Sequence, residues 1–128
     1  MDWNWENFEH GPVEGHAERV YVTVNRRGNF FFNRRALEAM GEPDAVTMMF
    51  DRRRSTIGIR RSPIDQKSAF RLKLKERSRS QGRMLYASNF CRLYHIRPDE
   101  TLRFTGAEVN KDGILILDLN EVQSVKKL

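Results

Sequence analysis

Arginine carries most of the chemistry this chain could perform. It gathers in Arg26-Arg27, in Arg52-Arg53-Arg54, in Arg60-Arg61, and in a stretch holding Arg71, Lys73, Lys75, Arg77, Arg79 and Arg83. A guanidinium is planar, permanently charged and forked, so it matches phosphate oxygens and the guanine edge better than an ammonium does. Binding of that kind releases counterions and is therefore salt-sensitive. A merely solvated surface would have a similar composition. What raises the binding reading to the same level is that the charge collects in turns and along one strand face. Arg34 and Arg35, at the start of a short helix, oppose the helix dipole unless an anion sits there.

Catalytic chemistry has far less to stand on. Cys91 and His95 have the i, i+4 spacing of two metal ligands on one helix face, but a zinc site needs three or four and no companion pair is evident. Cys91 reads as a small core residue. His10 and His16 lie near acids without a complete ligand set, and no nucleophile elbow, Gly-rich phosphate loop or Ser-His-Asp order stands out. Asp44 and Asp99, each following a proline, read as turn residues. The expectation is a non-enzyme with no cofactor and no metal.

Of the chain's 128 residues 39% are hydrophobic and 10% aromatic, enough for one packed core, and Lys plus Arg exceed Asp plus Glu by 23 to 17. The balance is uneven. Residues 1–18 contain five acids (Asp2, Glu6, Glu9, Glu14 and Glu18) and no Lys or Arg, which leaves 23 bases against 12 acids in the rest. Residues 1–18 therefore read as an acidic arm, in which Trp3, Trp5 and Phe8 are costly to leave in water. Three uses of it stand: packing on its own domain, docking on a neighbouring subunit or other protein, or covering a basic surface until a polyanion displaces it. No apolar run approaches the ~20 residues of a membrane helix. The start of the chain is unlike a signal peptide. The single cysteine excludes an internal disulfide framework, so a cytoplasmic location with no membrane contact is expected.

The elements that must carry the arginines alternate regularly. Val20, Val22 and Val24 form a half-buried strand, Asn25-Arg26-Arg27-Gly28 a turn, and Phe30-Phe31-Phe32 the return strand. Asn33 caps a helix over Ala36, Leu37, Ala39 and Met40 that Gly41 closes. Val46 to Phe50 and Thr56 to Arg60 are two more strands around a charged turn. After a polar stretch the order returns: Phe70, Leu72 and Leu74 alternate with Arg71, Lys73 and Lys75, Met84 to Tyr86 return, and Ser88 caps a helix over Phe90, Cys91, Leu93 and Tyr94. Leu102 and Phe104 follow, then the turn Asn110-Lys111-Asp112-Gly113 and the apolar strand Ile114 to Leu119. Residues 120–128 read as a short polar helix or tail.

The second half thus repeats the first. At an offset of 54, Gly28 meets Gly82, Phe30 meets Met84, Phe31 meets Leu85, Phe32 meets Tyr86, Ala36 meets Phe90 and Met40 meets Tyr94; Pro43-Asp44 meets Pro98-Asp99 at 55. The organisation is an arm (1–18), a first ββαββ repeat (19–61), a linker (62–68), a second repeat (69–119) and a C-terminal tail (120–128). The class is mainly β with short helices (α+β), two repeats of about 45 residues being too small to build separate cores. The runs Phe30-Phe31-Phe32 and Met48-Met49-Phe50 are apolar on both faces, which suits a layered interior or an oligomer interface.

The run from Gly82-Arg83 through Met84-Leu85-Tyr86, the helix, His95-Ile96, Arg97-Pro98-Asp99-Glu100 and Leu102 resembles the AbrB/SpoVT family pattern. That pattern is Gly-Arg, three apolar residues, a short helix, an acidic turn and a strand. Gly28 to Val46 resembles it too. The resemblance implies a swapped-hairpin, cradle-loop barrel, usually a homo-oligomer, that binds DNA through basic residues on one face. Two units in one chain is similar to the MraZ branch, although the Asp-x-x-x-Arg signature of that branch is missing. The family's basic positions fall on Arg83 and Arg92, with Asn29 and Leu37-Glu38 standing in the first copy.

These readings converge on a DNA-binding protein, a transcriptional regulator, using Arg26, Arg27, Asn29, Arg52, Arg53, Arg54, Lys73, Lys75, Arg77, Arg79, Arg83 and Arg92 on double-stranded DNA. RNA ranks lower, since Phe30, Phe32 and Tyr86 would have to be exposed to stack bases. The alternative is an interaction or scaffold module of antitoxin type, docking a protein partner through Trp3, Trp5 and Phe8 or the C-terminal tail.

Overall fold

The structure, a computed structural model, describes residues 2–9, 19–74 and 81–125. The first half runs β1 (Val22–Val24), β2 (Asn29–Phe32), α1 (Arg34–Ala39), β3 (Ala45–Asp51) and β4 (Thr56–Arg61). The second runs β5 (Phe70–Arg71), β6 (Lys73–Leu74), β7 (Arg83–Tyr86), α2 (Ser88–Leu93), β8 (Leu102–Phe104), β9 (Glu108–Val109), β10 (Ile114–Asp118) and β11 (Val122–Ser124). Mainly β with two short helices describes it among these residues.

Two turns of one chemistry shape the hairpins. Asn25 Oδ1 accepts the N–H groups of Arg27 and Asn29, both at 3.0 Å, and Gly28 takes φ +79°. Asn110 does the same before β10, accepting from Asp112 and Ile114 at 3.0 Å with Gly113 at φ +79°. Positive φ is nearly free for glycine and costs other L-residues about 1–2 kcal/mol. At Gly28 there is a second constraint, because a Cβ would lie 3.0 Å from Ser88 Cα, whereas Gly113 faces open space. Gly28→Ala should therefore lower stability by about 2–3 kcal/mol, and Gly113→Ala by only about 1. Equal urea midpoints for the two variants would contradict the close approach.

The strands form two antiparallel sheets, ordered β11-β8-β1-β2-β7-β6 and β5-β3-β4-β10-β9. Three segments pass from strand to strand between them: 70–74 supplies β5 to one sheet and β6 to the other, 102–109 does so with β8 and β9, and 114–124 with β10 and β11. Among the described residues neither sheet closes on itself. Four ladders join the two halves: β1 on β8, β2 on β7 (Phe30 opposite Leu85), β3 on β5, and β4 on β10 (Ile59 opposite Leu115). Val22, Val24, Phe30, Phe32, Leu85 and Phe104 from one sheet share a single core with Val46, Ile57, Ile59, Leu115 and Leu117 from the other.

The element bounds of β2–α1 and β7–α2 match at an offset of 54, yet the strands are out of phase by one residue. Phe30 and Phe32 are buried, while their counterparts Met84 and Tyr86 are half-buried and exposed; Leu85 and Ala87 face inward instead. Opposed residues of a ladder share a face, so Phe30 opposite Leu85 sets this phase. The two caps, Asn33 and Ala87, occupy matching positions but differ with the phase. Asn33 stands between Phe32 and α1, and its Oδ1 accepts from Ala36 N–H at 2.9 Å. Before α2, Ala87 is both the last inward residue and the N-cap, with no side-chain cap bond, so the capping role expected of Ser88 is not realised.

Two other expectations are corrected. Residues 122–124 are neither helix nor tail but strand β11, which pairs Val122 with Phe104 on the open edge of β8. Leu74 does not face the core. The alternation of 70–74 breaks at Leu72, whose N–H donates to Asp44 O at 2.9 Å as the segment changes sheets, and Leu74 ends 69% exposed.

Candidate nucleic-acid interface

The site is built around α2. Gly28 O accepts the Ala87 N–H at 3.1 Å, which continues the β2–β7 ladder and seats the β1–β2 turn against the start of α2. A cleft of about 240 Å³ lies there, lined by Arg26, Arg27, Gly28, Ser88, Cys91, Arg92, Ile96 and Arg97. No acid lines it, and none of the four guanidinium groups has an ion-pair or hydrogen-bond partner among the described residues. On the other side of the turn Arg26 and Arg27 line a second cleft of about 260 Å³ with Asn25, Asn29 and Thr101.

The β3–β4 turn approaches the far end of α2. Arg52 stacks its guanidinium 4.9 Å from the centre of the Tyr94 ring, which is itself packed against Phe50 and Phe90. Such a contact leaves the guanidinium edge free for an anion. Arg54 is differently placed: it holds Asp51 at 3.0 Å, and that hydrogen bond draws the exposed Asp51 carboxyl below its ordinary pKa. Arg53 is exposed in the same turn. The structure thus brings Arg26, Arg27 and Arg92 into one cleft, sets Asn29 in a second cleft with Arg26 and Arg27, and places Arg52 on Tyr94 just after α2.

The remaining expected contacts lie elsewhere. Arg83 and the neighbouring Lys73 are on β7 and β6; Arg83 donates to Gln81 O and Gly82 O and lines a cleft of about 450 Å³ beside α1. Lys75, Arg77 and Arg79 lie outside the described residues. Arg97 was missed by the sequence reading, which treated it only as part of a turn before Pro98. Its position just after the helix was a usable signal, because the chain must pass α2 there to reach β8.

Cys91 lies beneath the basic cleft as part of the core, its thiol pushed up to about 11 from an ordinary 9.0 by burial, and His95 is exposed at φ +56°. The thiolate is disfavoured in the folded protein, so between pH 9 and 11 only the unfolded chain readily loses this proton and stability falls. A Cys91→Val variant should show a shallower fall in urea midpoint from pH 8 to 10. An identical fall would assign the effect to other groups. Phe30 and Phe32 are wholly buried, which removes two of the three aromatics an RNA-stacking surface required; Tyr86 is 52% exposed.

Trp3, Trp5 and Phe8 are 68%, 79% and 77% exposed, and the two indoles stack on each other at 5.4 Å instead of packing on the sheets. A separate apolar groove of about 370 Å³ runs over the outer face of the second sheet, where Met49, Gly58, Ile114 and Ile116 line up. Among the described residues no helix is long and apolar enough to cross a membrane. Comparison with protein-family models, with curated proteins and with solved structures gives no match.

Proposed function

We propose that this chain is a DNA-binding protein of the transcriptional-regulator kind, a binder and not an enzyme, that grips the duplex backbone with the arginines around α2. The observation that carries the reading is the cleft of Arg26, Arg27, Arg92 and Arg97, four cations gathered without a carboxylate among them. Bringing like charges together costs free energy, and a polyanion offsets that cost. The family resemblance adds to this on the residues alone: hairpins that cross between halves, short helices and basic turns are what an AbrB-like swapped-hairpin barrel would have. A protein-docking role is the second reading, and the exposed Trp3–Trp5 stack favours it.

The test is fluorescence anisotropy of labelled duplex DNA, single-stranded DNA and RNA over a salt series. Four phosphate contacts predict a duplex slope of about −3.6 in log K against log salt, or roughly a hundredfold weaker binding from 50 to 200 mM. Absence of salt-dependent duplex binding would remove the reading and leave the protein-docking one.

A further inference from the structure

The outer face of the second sheet is apolar at its centre and charged at both ends. Ile57, Ile59, Leu115 and Leu117 point into the core, so the alternate residues of β3, β4 and β10 point away from it. Ladder register sorts these into three rows across the strands: Thr47, Arg60 and Ile114; Met49, Gly58 and Ile116; Asp51, Thr56 and Asp118. The middle row and Ile114 line the groove of about 370 Å³. Gly58 is paired in register on both sides, so it marks neither a bulge nor a bend. Met49 Cε and Ile114 Cγ2 lie 3.2 and 3.3 Å from where its Cβ would stand, and the result is a level surface that another sheet can approach closely.

The two outer rows carry unneutralised charge of opposite sign. Arg60 is exposed, and its guanidinium donates to Met49 Sδ at 3.1 Å, a weak acceptor, with no carboxylate in reach among the described residues. Asp118 Oδ1 accepts from Asn120 N–H and Nδ2 at 2.8 and 3.1 Å, and no cation among the described residues reaches it. Asp51 differs, being held by Arg54 at 3.0 Å. A free cation and a free anion therefore flank the apolar centre, each about 6.6 Å from it along the strands.

We infer that this face binds the same face of a second copy, in a two-fold dimer whose axis lies in the interface and runs across the strands. The charge pattern selects both partner and axis. An axis along the strands would set each row on its own copy, Arg60 against Arg60. An axis across the strands keeps the apolar row on itself and sets the arginine row over the aspartate row. Arg60 of each chain then meets Asp118 of the other, twice by symmetry. Stacked sheets stand about 10 Å apart, a gap that Met49, Ile114 and Ile116 fill from both sides. The N-terminal arm fits less well: Trp3 and Trp5 match the apolar centre, but Asp2, Glu6 and Glu9 supply one sign where the face carries both. The association does not depend on DNA binding.

Sedimentation velocity of the full chain over a micromolar concentration series tests it, with circular dichroism melts to verify folding. The parent chain should be a dimer. Arg60→Asp and Asp118→Arg, which bring like charges together, should each raise the dissociation constant roughly tenfold or more. The double variant Arg60→Asp/Asp118→Arg restores both pairs with their signs exchanged and should return to within about threefold of the parent. Asp118→Asn keeps an oxygen for the Asn120 bonds and removes the charge, so it should weaken the dimer with the turn intact. A monomeric parent overturns the inference, as does a double variant no better than the single ones. A dimer that survives Arg60→Asp and is lost in Trp3→Ala/Trp5→Ala also overturns it, because the arm would then bridge the copies. None of these outcomes bears on the salt series with duplex DNA, so the two readings fail separately.

Discussion

Replacing Arg26 and Arg27 together by glutamate should weaken duplex-DNA binding by roughly a hundredfold at 0.1 M salt, about 2.7 kcal/mol, and flatten the salt slope by about two. The two side chains are exposed at the tip of the β1–β2 turn, and the turn itself is held by Asn25 and Gly28, so the exchange leaves the fold standing. Two phosphate contacts are lost. In addition, the new carboxylates lie beside Arg92 and Arg97 in the cleft, where they would compete for the guanidinium groups that remain. Charge reversal therefore exceeds simple truncation. Anisotropy titrations at four salt concentrations measure both quantities, and an unchanged slope would take the turn out of the interface.

Phe30→Ala should cost about 3–5 kcal/mol of folding stability, much of what a domain this size possesses. Phe30 is fully buried, opposite Val24 of β1 on one side and Leu85 of β7 on the other. Its ring stacks on Phe104 of β8 at 6.4 Å and 6°. One side chain thus supports the seam where the two halves meet, and its removal leaves a cavity that three strands would have to collapse into. Tyr86→Ala, on the neighbouring strand but exposed, should cost under about 1 kcal/mol. Urea unfolding of the two variants makes the comparison, and a loss below about 1 kcal/mol for Phe30→Ala would mean that its ring is outside a packed core.

Both expectations lean on parts of the chain that were readable in different degrees. The Asn25 and Asn110 turns and the Asn33 cap were legible because they are local: an amide side chain bonds backbone groups two to four residues away, and a following glycine supplies positive φ. The alternation of Val22, Val24, Phe30 and Phe32 was equally plain. By contrast, the phase slip between β2 and β7 was invisible. Met84-Leu85-Tyr86 is apolar throughout, so nothing in those three residues says which one points inward until a partner strand opposes them. Leu74 looked like a core residue for the same reason, since its pattern carries no sign that the strand changes sheets at Leu72. Val122-Gln123-Ser124 is too short to declare itself a strand without the open edge of β8 to receive it.

The candidate site divides along the same line. Residue types and spacing established that the chain is basic, that its arginines gather in turns, that its N-terminal arm is acidic, and that two stretches share one order of elements. These are properties of composition and of neighbours in the chain. Tertiary structure alone decided which arginines stand together. It set Arg26 and Arg27 against Arg92 and Arg97, about seventy positions later in the chain, and placed Arg83 beside Glu42 and Asp44. Electrostatic interaction depends on distance in space, and that distance is fixed by the four ladders that join the two halves, among them β2 on β7 and β4 on β10, which no local pattern encodes.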